Sequence, residues 1–214
     1  MKGLLLKDLY MMKSYLKAYL FLIPVFWIIS VFAETISFMT FYSCLLTAMI
    51  PISLQVYDEK ERWSCYSCTL PYSPKQIVSV KYLLNLITIL PNFVAVLICQ
   101  SIRMLRFSEF DLQELLSMGI PGLLLSLLPA IFILPFIFKF GAEKAQLAYL
   151  LTGLIIGITF AVITALAEAN FIRIISEIQK NPIFFGIIAL AGIVILYGIS
   201  WMLSMKIYAR KEFA

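Results

Sequence analysis

The sequence predicts an all-α, polytopic membrane protein with six transmembrane helices in a single domain, residues 1–214. Its residues are 62% hydrophobic and only 14% charged, whereas soluble domains average about 25% charged residues. The mean hydropathy is +0.96, and the apolar residues lie in long runs separated by short charged segments. Because a transmembrane helix needs about 20 apolar residues, the chain has room for about five to seven helices and for no separate soluble domain.

Residues 1–15 have the pattern of an amphipathic helix that lies along an anionic membrane surface. The lysines of this part of the chain share one broad arc of the predicted helix: Lys2, Lys7, Lys13 and Lys17. Leucines and methionines occupy the opposite arc, into which Asp8 intrudes. We expect Asp8 to pair with a nearby lysine, and contact with a partner protein is the alternative. A cleaved signal peptide is disfavoured because charges interrupt the apolar stretch and no small-residue cleavage site follows.

Six apolar runs are the predicted spans, at about residues 16–33, 35–56, 81–102, 115–138, 147–167 and 183–205. The first two spans are predicted to meet in a tight hairpin at Glu34, because this polar position interrupts a run about twice the length of one span. Asp111 and Glu114 have the spacing of a capping box before the fourth span. Pro182 suits the first turn of the sixth span, where its missing N–H costs nothing.

The lysines and arginines predict how the chain is oriented. An even number of spans places both termini on one side of the membrane. If that side is the cytoplasm, Arg103, Arg106, Arg173 and Lys180 lie outside and the other 13 of the 17 basic residues lie on the inner side. Cytoplasmic segments of membrane proteins are enriched in Lys and Arg, so we expect both termini, and the segment between the second and third spans, to be cytoplasmic.

Residues 57–76 form the longest polar interruption in the first half of the chain, and we call them the cytoplasmic segment. Their pattern predicts a short helix over residues 58–70, which ends before a proline because proline disfavours helical backbone in the residue before it. A second helix is predicted to begin at Pro74, with a capping box between Ser73 and Gln76.

The first of these predicted helices carries the candidate residues for contact with a partner protein, namely Asp58, Glu59, Glu61, Arg62, Trp63, Tyr66 and Leu70. Exposed aromatic residues on a short charged helix typically sit at a membrane interface or in a partner's groove, and we predict that Trp63 fills such a groove. Arg62 is predicted to contact a carboxylate of the partner, with a local i,i+4 pair to Asp58 as the alternative. A solvated loop that merely joins two spans is the simpler interpretation of the segment.

Two stretches resemble a known family. The first stretch is MKGLLLKDL, residues 1–9, and the second lies within residues 57–82 and contains YDEK at 57–60, W at 63, TLPxS at 69–73, QIV at 76–78 and KY at 81–82. The chain is similar in these stretches to small bacterial type-2 ATP-binding-cassette exporter permeases. The resemblance implies that residues 57–76 hold a coupling helix that docks on a separate ATPase. It also implies two ATPase copies, which bind ATP and Mg²⁺, and a second permease chain, either identical or a sister chain, in the bacterial plasma membrane.

The resemblance further implies the function, namely the transmembrane subunit of an ATP-driven exporter. Substrates of similar permeases include antimicrobial compounds and amphipathic peptides such as phenol-soluble modulins. A different interpretation is a non-transporting membrane scaffold, immunity or sensor protein that has no ATPase partner. These interpretations differ in whether the cytoplasmic segment binds an ATPase.

The chemistry missing from the sequence argues against most enzyme classes. The chain has no histidine, so it has no zinc-protease motif and no serine–histidine pair. It also lacks a P-loop motif, so ATP hydrolysis is expected of a partner chain. The predicted spans contain no acidic residue, which disfavours a proton-coupled antiporter. We assign no catalytic, cofactor-binding or metal-binding residues, because Cys65 and Cys68 are only half of a zinc site in a reducing compartment.

Residues 168–182 predict a short amphipathic helix on the outer side of the membrane. On this helix Phe171, Ile174, Ile175 and Ile178 share one face. The simpler interpretation is that this face covers the outer ends of the spans. The family resemblance implies a second one, because similar exporters carry short external helices between the last two spans. In a dimer these four residues would form an external gate over the exit.

Overall fold

The computed structural model describes residues 2–32, 38–67, 72–107, 110–141 and 182–212, and every regular element in these ranges is an α-helix. The helices are α1 Lys2–Tyr15, α2 Lys17–Phe32, α3 Phe38–Lys60, α4 Trp63–Ser67, α5 Pro74–Phe107, α6 Leu112–Phe140 and α7 Pro182–Glu212. The predicted all-α class is therefore confirmed for the described part of the chain.

Four of the six predicted spans coincide with helices that are long and apolar enough to cross a membrane: α3, α5, α6 and α7. α2 has only 16 residues, which is short for a straight span of about 20 residues. It meets α1 at an angle of 76°, and the two helices would count as a fifth span only if the bent pair is taken as one. The predicted hairpin at Glu34 and the predicted span 147–167 lie outside the described residues.

Two of the helix starts follow from local side chains. At α5 the N–H of Ser73 donates to Oε1 of Gln76 at 3.2 Å, and the N–H of Gln76 donates to Oγ of Ser73 at 3.4 Å. The predicted capping box is therefore confirmed. At α6 the carboxylate of Asp111 accepts from the N–H of Gln113 at 2.9 Å. Asp111 is therefore the N-cap residue, and it satisfies the free N–H of the second residue of the helix.

α1 is a separate helix, as predicted, and it packs against α2, α3 and α5. Its position along the membrane surface stays a prediction. The expected amphipathic division of α1 is changed at two positions. Asp8 is buried, and Lys7 turns towards the interior, with only 22% of its side chain exposed.

The core is organised around α5, which packs against α1, α2, α3, α6 and α7. On one side of α5, Tyr82 packs in a buried apolar cluster with residues of α6 and α7 that include Leu134 and Tyr197. On another side, Leu84 packs with Ile23 of α2 and Leu54 of α3. Any displacement of α5 therefore affects both groups of helices.

Hydrogen bonds between side chains connect α5 to α7 within this core. The hydroxyl oxygen of Tyr82 lies 2.8 Å from Oγ of Ser200 and 2.8 Å from Oγ of Ser204. The hydroxyl of Tyr197 donates to the backbone oxygen of Tyr82 at 2.8 Å. Ser200 also connects α7 to α6, because its hydroxyl donates to the backbone oxygen of Ile131 at 2.7 Å. Such bonds are a common means of association in membrane domains, where lipid cannot replace them.

Replacing Tyr82 by phenylalanine removes the hydroxyl and keeps the ring. We expect Tyr82→Phe to lower the free energy of unfolding by about 1–2 kcal/mol, because two contacts between helices are lost inside the protein. Thermal unfolding of the purified protein in detergent measures this effect. Tyr10→Phe is the matched control, since Tyr10 is 65% exposed. Identical unfolding temperatures for the two variants would contradict this role of the Tyr82 hydroxyl.

Candidate functional site

Four charged side chains meet where α1, the end of α3 and the beginning of α5 come together. α1 supplies Lys7 and Asp8, the last turn of α3 supplies Asp58, and α5 supplies Lys81. Nζ of Lys7 lies 2.6 Å from Oδ1 of Asp58 and 3.1 Å from Oδ1 of Asp8. Nζ of Lys81 lies 2.6 Å from Oδ2 of Asp58 and 2.9 Å from Oδ2 of Asp8. Each ammonium group thus bridges both carboxylates, and we call these four residues the charge cluster.

Three of the four side chains of the charge cluster are buried, and its positive and negative formal charges balance. The side chains of Asp8, Lys81 and Asp58 are 2%, 3% and 5% exposed. Removing one member of a buried ion pair costs about 3–5 kcal/mol, because the remaining buried charge is left without a partner. The charge cluster therefore holds α1 and the end of α3 against α5.

Asp58 is the main acceptor of the charge cluster. Both lysines donate hydrogen bonds to it, each at 2.6 Å. The contact between Lys7 and Oδ1 of Asp8 is an ion pair without hydrogen-bond geometry, and this oxygen accepts no hydrogen bond from any described residue. The closest interactions therefore join the cytoplasmic segment, through Asp58, to α1 and α5.

The indole of Trp63 lies beside the charge cluster and attaches α4 to the helices beneath it. Nζ of Lys7 is 4.0 Å from the centroid of the Trp63 ring system, which is a favourable distance for a cation–π interaction. Trp63 also packs against a small apolar cluster formed by Leu4, Ile77 and Val80. This face of Trp63 is therefore in contact with the chain's own α1 and α5.

A turn divides the cytoplasmic segment, so the prediction of one helix over residues 58–70 is wrong. α3 continues to Lys60, and Arg62 then has a φ of 52°. This left-handed conformation is uncommon for a non-glycine residue and ends the right-handed helix. α4 follows with only five residues. Asp58 therefore lies in the last turn of α3, where its carboxylate pairs with Lys7 and Lys81 instead of forming the local pair with Arg62.

The turn leaves three of the predicted docking residues exposed, namely Glu61, Arg62 and Tyr66, and we call them the exposed tip. Tyr66 is 57% exposed, and its ring centroid lies 5.3 Å from that of Trp63. Glu59 of α3 is partly buried, and its carboxylate lies against Gly141 at the end of α6. The contact is so close that a side chain at position 141 would come within 2.7 Å of Oε1 of Glu59. The tip is thus supported by residues that face the helical domain.

The remaining predicted site residues lie outside the described residues. They are Leu70 of the cytoplasmic segment and the external gate candidates Phe171, Ile174, Ile175 and Ile178.

Sequence reasoning missed Lys7 and Lys81 as partners of Asp58, because they lie 51 and 23 residues away along the chain. One signal was available in Asp8, a carboxylate on an apolar arc that needs a cation nearby. Its expected pairing with a nearby lysine is confirmed. A second signal was Lys81 at the start of a predicted span, since a lysine within an apolar helix either pairs or reaches towards the interface.

Comparison with known proteins identifies the family. The chain matches the family described as "ABC-2 family transporter protein" over residues 3–209. This range includes the charge cluster, the cytoplasmic segment and α2 to α6 in full. No curated protein and no solved structure matches the chain. Because the family match covers nearly the whole chain, this multi-pass membrane protein belongs to the ABC-2 family of transporter proteins, as a transport component that is not itself catalytic.

Proposed function

We propose that this chain is the transmembrane subunit of an ATP-driven exporter for amphipathic peptides or antimicrobial compounds. Two permease chains, identical or sister chains, would form the pathway and would rest on two copies of a separate ATPase at the bacterial plasma membrane. ATP and Mg²⁺ would bind the ATPase alone. The family match supports the transport role, and the resemblance of residues 1–9 and 57–82 to exporter permeases supports the class of substrate.

The charge cluster is the observation that carries this proposal. Asp58 lies a few residues before the exposed tip, and its ion pairs connect this end of α3 to Lys7 of α1 and to Lys81 of α5. When an ATPase moves the tip, the four charges resist separation, because separation leaves buried charges unpaired. α1 and α5 would therefore move together with the end of α3, and a small shift at the tip would become a shift of whole helices.

The exposed tip is the docking surface in this proposal. Tyrosine and arginine are enriched among the residues that dominate interface energies. The planar guanidinium of Arg62 can form a bidentate ion pair with a carboxylate of the partner. Trp63 has a different role here from the one its sequence context predicts. It is the anchor that fixes the tip to the charge cluster and to Val80.

The outer end of the pathway would open and close as the ATPase binds and hydrolyses ATP. ATP binding would close the ATPase dimer, move the exposed tip and open the pathway outward. In a dimer, the helix predicted over residues 168–182 would form an external gate over the exit.

Copurification with an ATPase separates this function from that of a scaffold, immunity or sensor protein. The permease would be coexpressed with each ABC ATPase of its host that lacks its own membrane domain, and complexes would be isolated in detergent with and without a non-hydrolysable ATP analogue. Reconstitution of a stable complex should give ATP-dependent efflux of an amphipathic peptide. The absence of a stable complex under every nucleotide condition would favour a non-transporting protein.

Two alanine variants distinguish docking from anchoring at the tip. We expect Tyr66→Ala to weaken binding of the ATPase by about 2 kcal/mol, or roughly 30-fold, and to lower the unfolding temperature of the isolated permease less than Trp63→Ala does, because Tyr66 is 57% exposed. Trp63→Ala should lower the unfolding temperature more, because the Trp63 ring packs against the chain's own α1 and α5.

Titration of the immobilised permease with ATPase measures the affinity, and scanning fluorimetry measures the unfolding temperature. Tyr10→Ala is the control for removal of an exposed tyrosine elsewhere on the chain. Unchanged affinity in Tyr66→Ala would remove Tyr66 from the docking surface. Full stability in Trp63→Ala would contradict its anchoring role.

A double-mutant cycle tests the charge cluster. Asp58→Asn leaves one buried positive charge in excess and should destabilise the permease by about 3–5 kcal/mol. Adding Lys81→Met restores electrical balance between Lys7 and Asp8, so the double variant should be more stable than Asp58→Asn alone.

The same variants report on coupling. In a reconstituted complex, the double variant should hydrolyse ATP with less efflux per ATP than the unaltered protein, because α5 is no longer tied to Asp58. Additive effects of the two substitutions on stability would show that the two groups do not act as a pair. Unaltered efflux per ATP in a stable double variant would show that the charge cluster is structural only.

A further inference from the structure

Two apolar grooves lie beside Leu9, one on each side of it along α1. The larger has a volume of about 250 Å³ between α1, α2, α3 and α5, and its lining includes Met12, Pro24 and Trp27. The smaller has a volume of about 230 Å³ between α1 and α5, and its lining includes Leu6 and Lys2. Because Leu9 lines both grooves, they follow each other along the same side of α1.

α5 forms the common floor of the two grooves. Val80 and Leu83 line the smaller groove, and Ile87 and Pro91 line the larger one. Their spacing of three or four residues places them on one face of the helix, and from Val80 to Pro91 this face extends about 16 Å. One leaflet of a bilayer has a hydrocarbon thickness of about 15 Å. The floor therefore has the length of a lipid chain in one leaflet.

The margins of the grooves are apolar and open. Leu6, Leu20 and Ile87 line the grooves and are 54%, 39% and 41% exposed. α5 is long and apolar enough to span the membrane, and exposed apolar side chains on a spanning helix contact lipid tails, which are as apolar as leucine. A chain from the surrounding bilayer can therefore enter from the side without crossing a polar barrier.

The charges beside the grooves are positive. Among the described residues that line them, Lys2 is the one charged side chain. Lys13 follows the lining residue Met12, and Lys17 lies one helical turn before the lining residue Leu20; both lysines are exposed. Asp8 adds no net negative potential, since its charge is balanced within the charge cluster. Basic pockets beside spanning helices favour anionic headgroups over zwitterionic ones.

We infer that α1, the bend to α2 and α5 together bind one anionic phospholipid from the leaflet on the α1 side, which the lysine distribution predicts to be the cytoplasmic leaflet. A fatty acyl chain lies in the grooves along α5, and the exposed lysines of α1 and of the bend together attract its anionic headgroup. This site is independent of the docking surface for an ATPase and would exist in the isolated permease.

Trp27 provides a direct measurement because it lines the larger groove. The chain has three tryptophans, so Trp63→Phe with Trp201→Phe leaves Trp27 as the single tryptophan and keeps an aromatic ring at each altered position. Phosphatidylglycerol with brominated acyl chains is titrated into the purified protein in detergent micelles, and quenching of Trp27 reports occupancy. Brominated phosphatidylcholine is titrated in the same way. We expect phosphatidylglycerol to quench at a concentration at least about tenfold lower.

Two sets of lysine substitutions test the attraction of the headgroup by these lysines. Lys2→Gln with Lys13→Gln and Lys17→Gln should abolish most of the preference for phosphatidylglycerol. The matched control is Lys75→Gln with Lys139→Gln and Lys206→Gln, which removes the same charge from three exposed lysines elsewhere and should leave the preference intact.

Equal quenching by the two lipids would overturn the proposal, because it would mean that the grooves hold only bulk lipid or detergent. Equal loss of preference in both triple variants would overturn the assignment of the headgroup to the lysines of α1 and the bend. If the first triple variant does not fold, the comparison of the two lipids on the single-tryptophan protein still decides whether an anionic lipid is preferred.

Discussion

The position of α1 depends on ion pairs among two lysines and two aspartates at one place, where only Lys7 is partly exposed. A single buried charge is strongly unfavourable, and a buried pair is tolerated only when its partners stay close and well oriented. Lys7 and Asp8 come from α1, Lys81 from α5 and Asp58 from the end of α3, so none of the three helices can move away alone. The cytoplasmic segment is consequently part of the helical domain at its base, although its tip is exposed.

Elsewhere the helices are joined by hydrogen bonds between uncharged polar side chains, because a buried polar group, like a buried charge, needs a partner. The indole N–H of Trp27 in α2 donates to the amide oxygen of Asn92 in α5 at 3.0 Å. Near the other end of α5, the amide nitrogen of Gln100 donates to the hydroxyl of Thr40 in α3 at 2.7 Å. A polar group in a lipid environment is costly unless it is paired, so these contacts select one arrangement of helices whose apolar surfaces alone would allow several.

The features that could be predicted from the sequence are those determined by nearby residues. Apolar length predicts where long helices occur, and the capping box of Ser73 and Gln76 acts within one helical turn. The turn at Arg62 could not be predicted in this way, because residues 58–62 read locally as a continuing helix. The role of Asp58 is determined by Lys7 and Lys81, which reach it only in the folded chain. The same holds for Trp63, whose exposure was expected from its polar neighbours but whose ring packs beside Lys7.

α1 is supported by two interactions that differ in their dependence on distance and direction. The charge cluster involves short ion pairs that weaken sharply when the oriented groups move apart, whereas the grooves on either side of Leu9 offer non-directional apolar contact. A force applied at the exposed tip would therefore be transmitted to α1 at Lys7 and Asp8, while the rest of the helix could slide over apolar surface at little cost. α1 would therefore be able to tilt about the charge cluster while it moves together with α5 and the end of α3. A lipid seated in the grooves would change how far α1 can tilt, so the composition of the leaflet and the movement of the tip would act on the same helix.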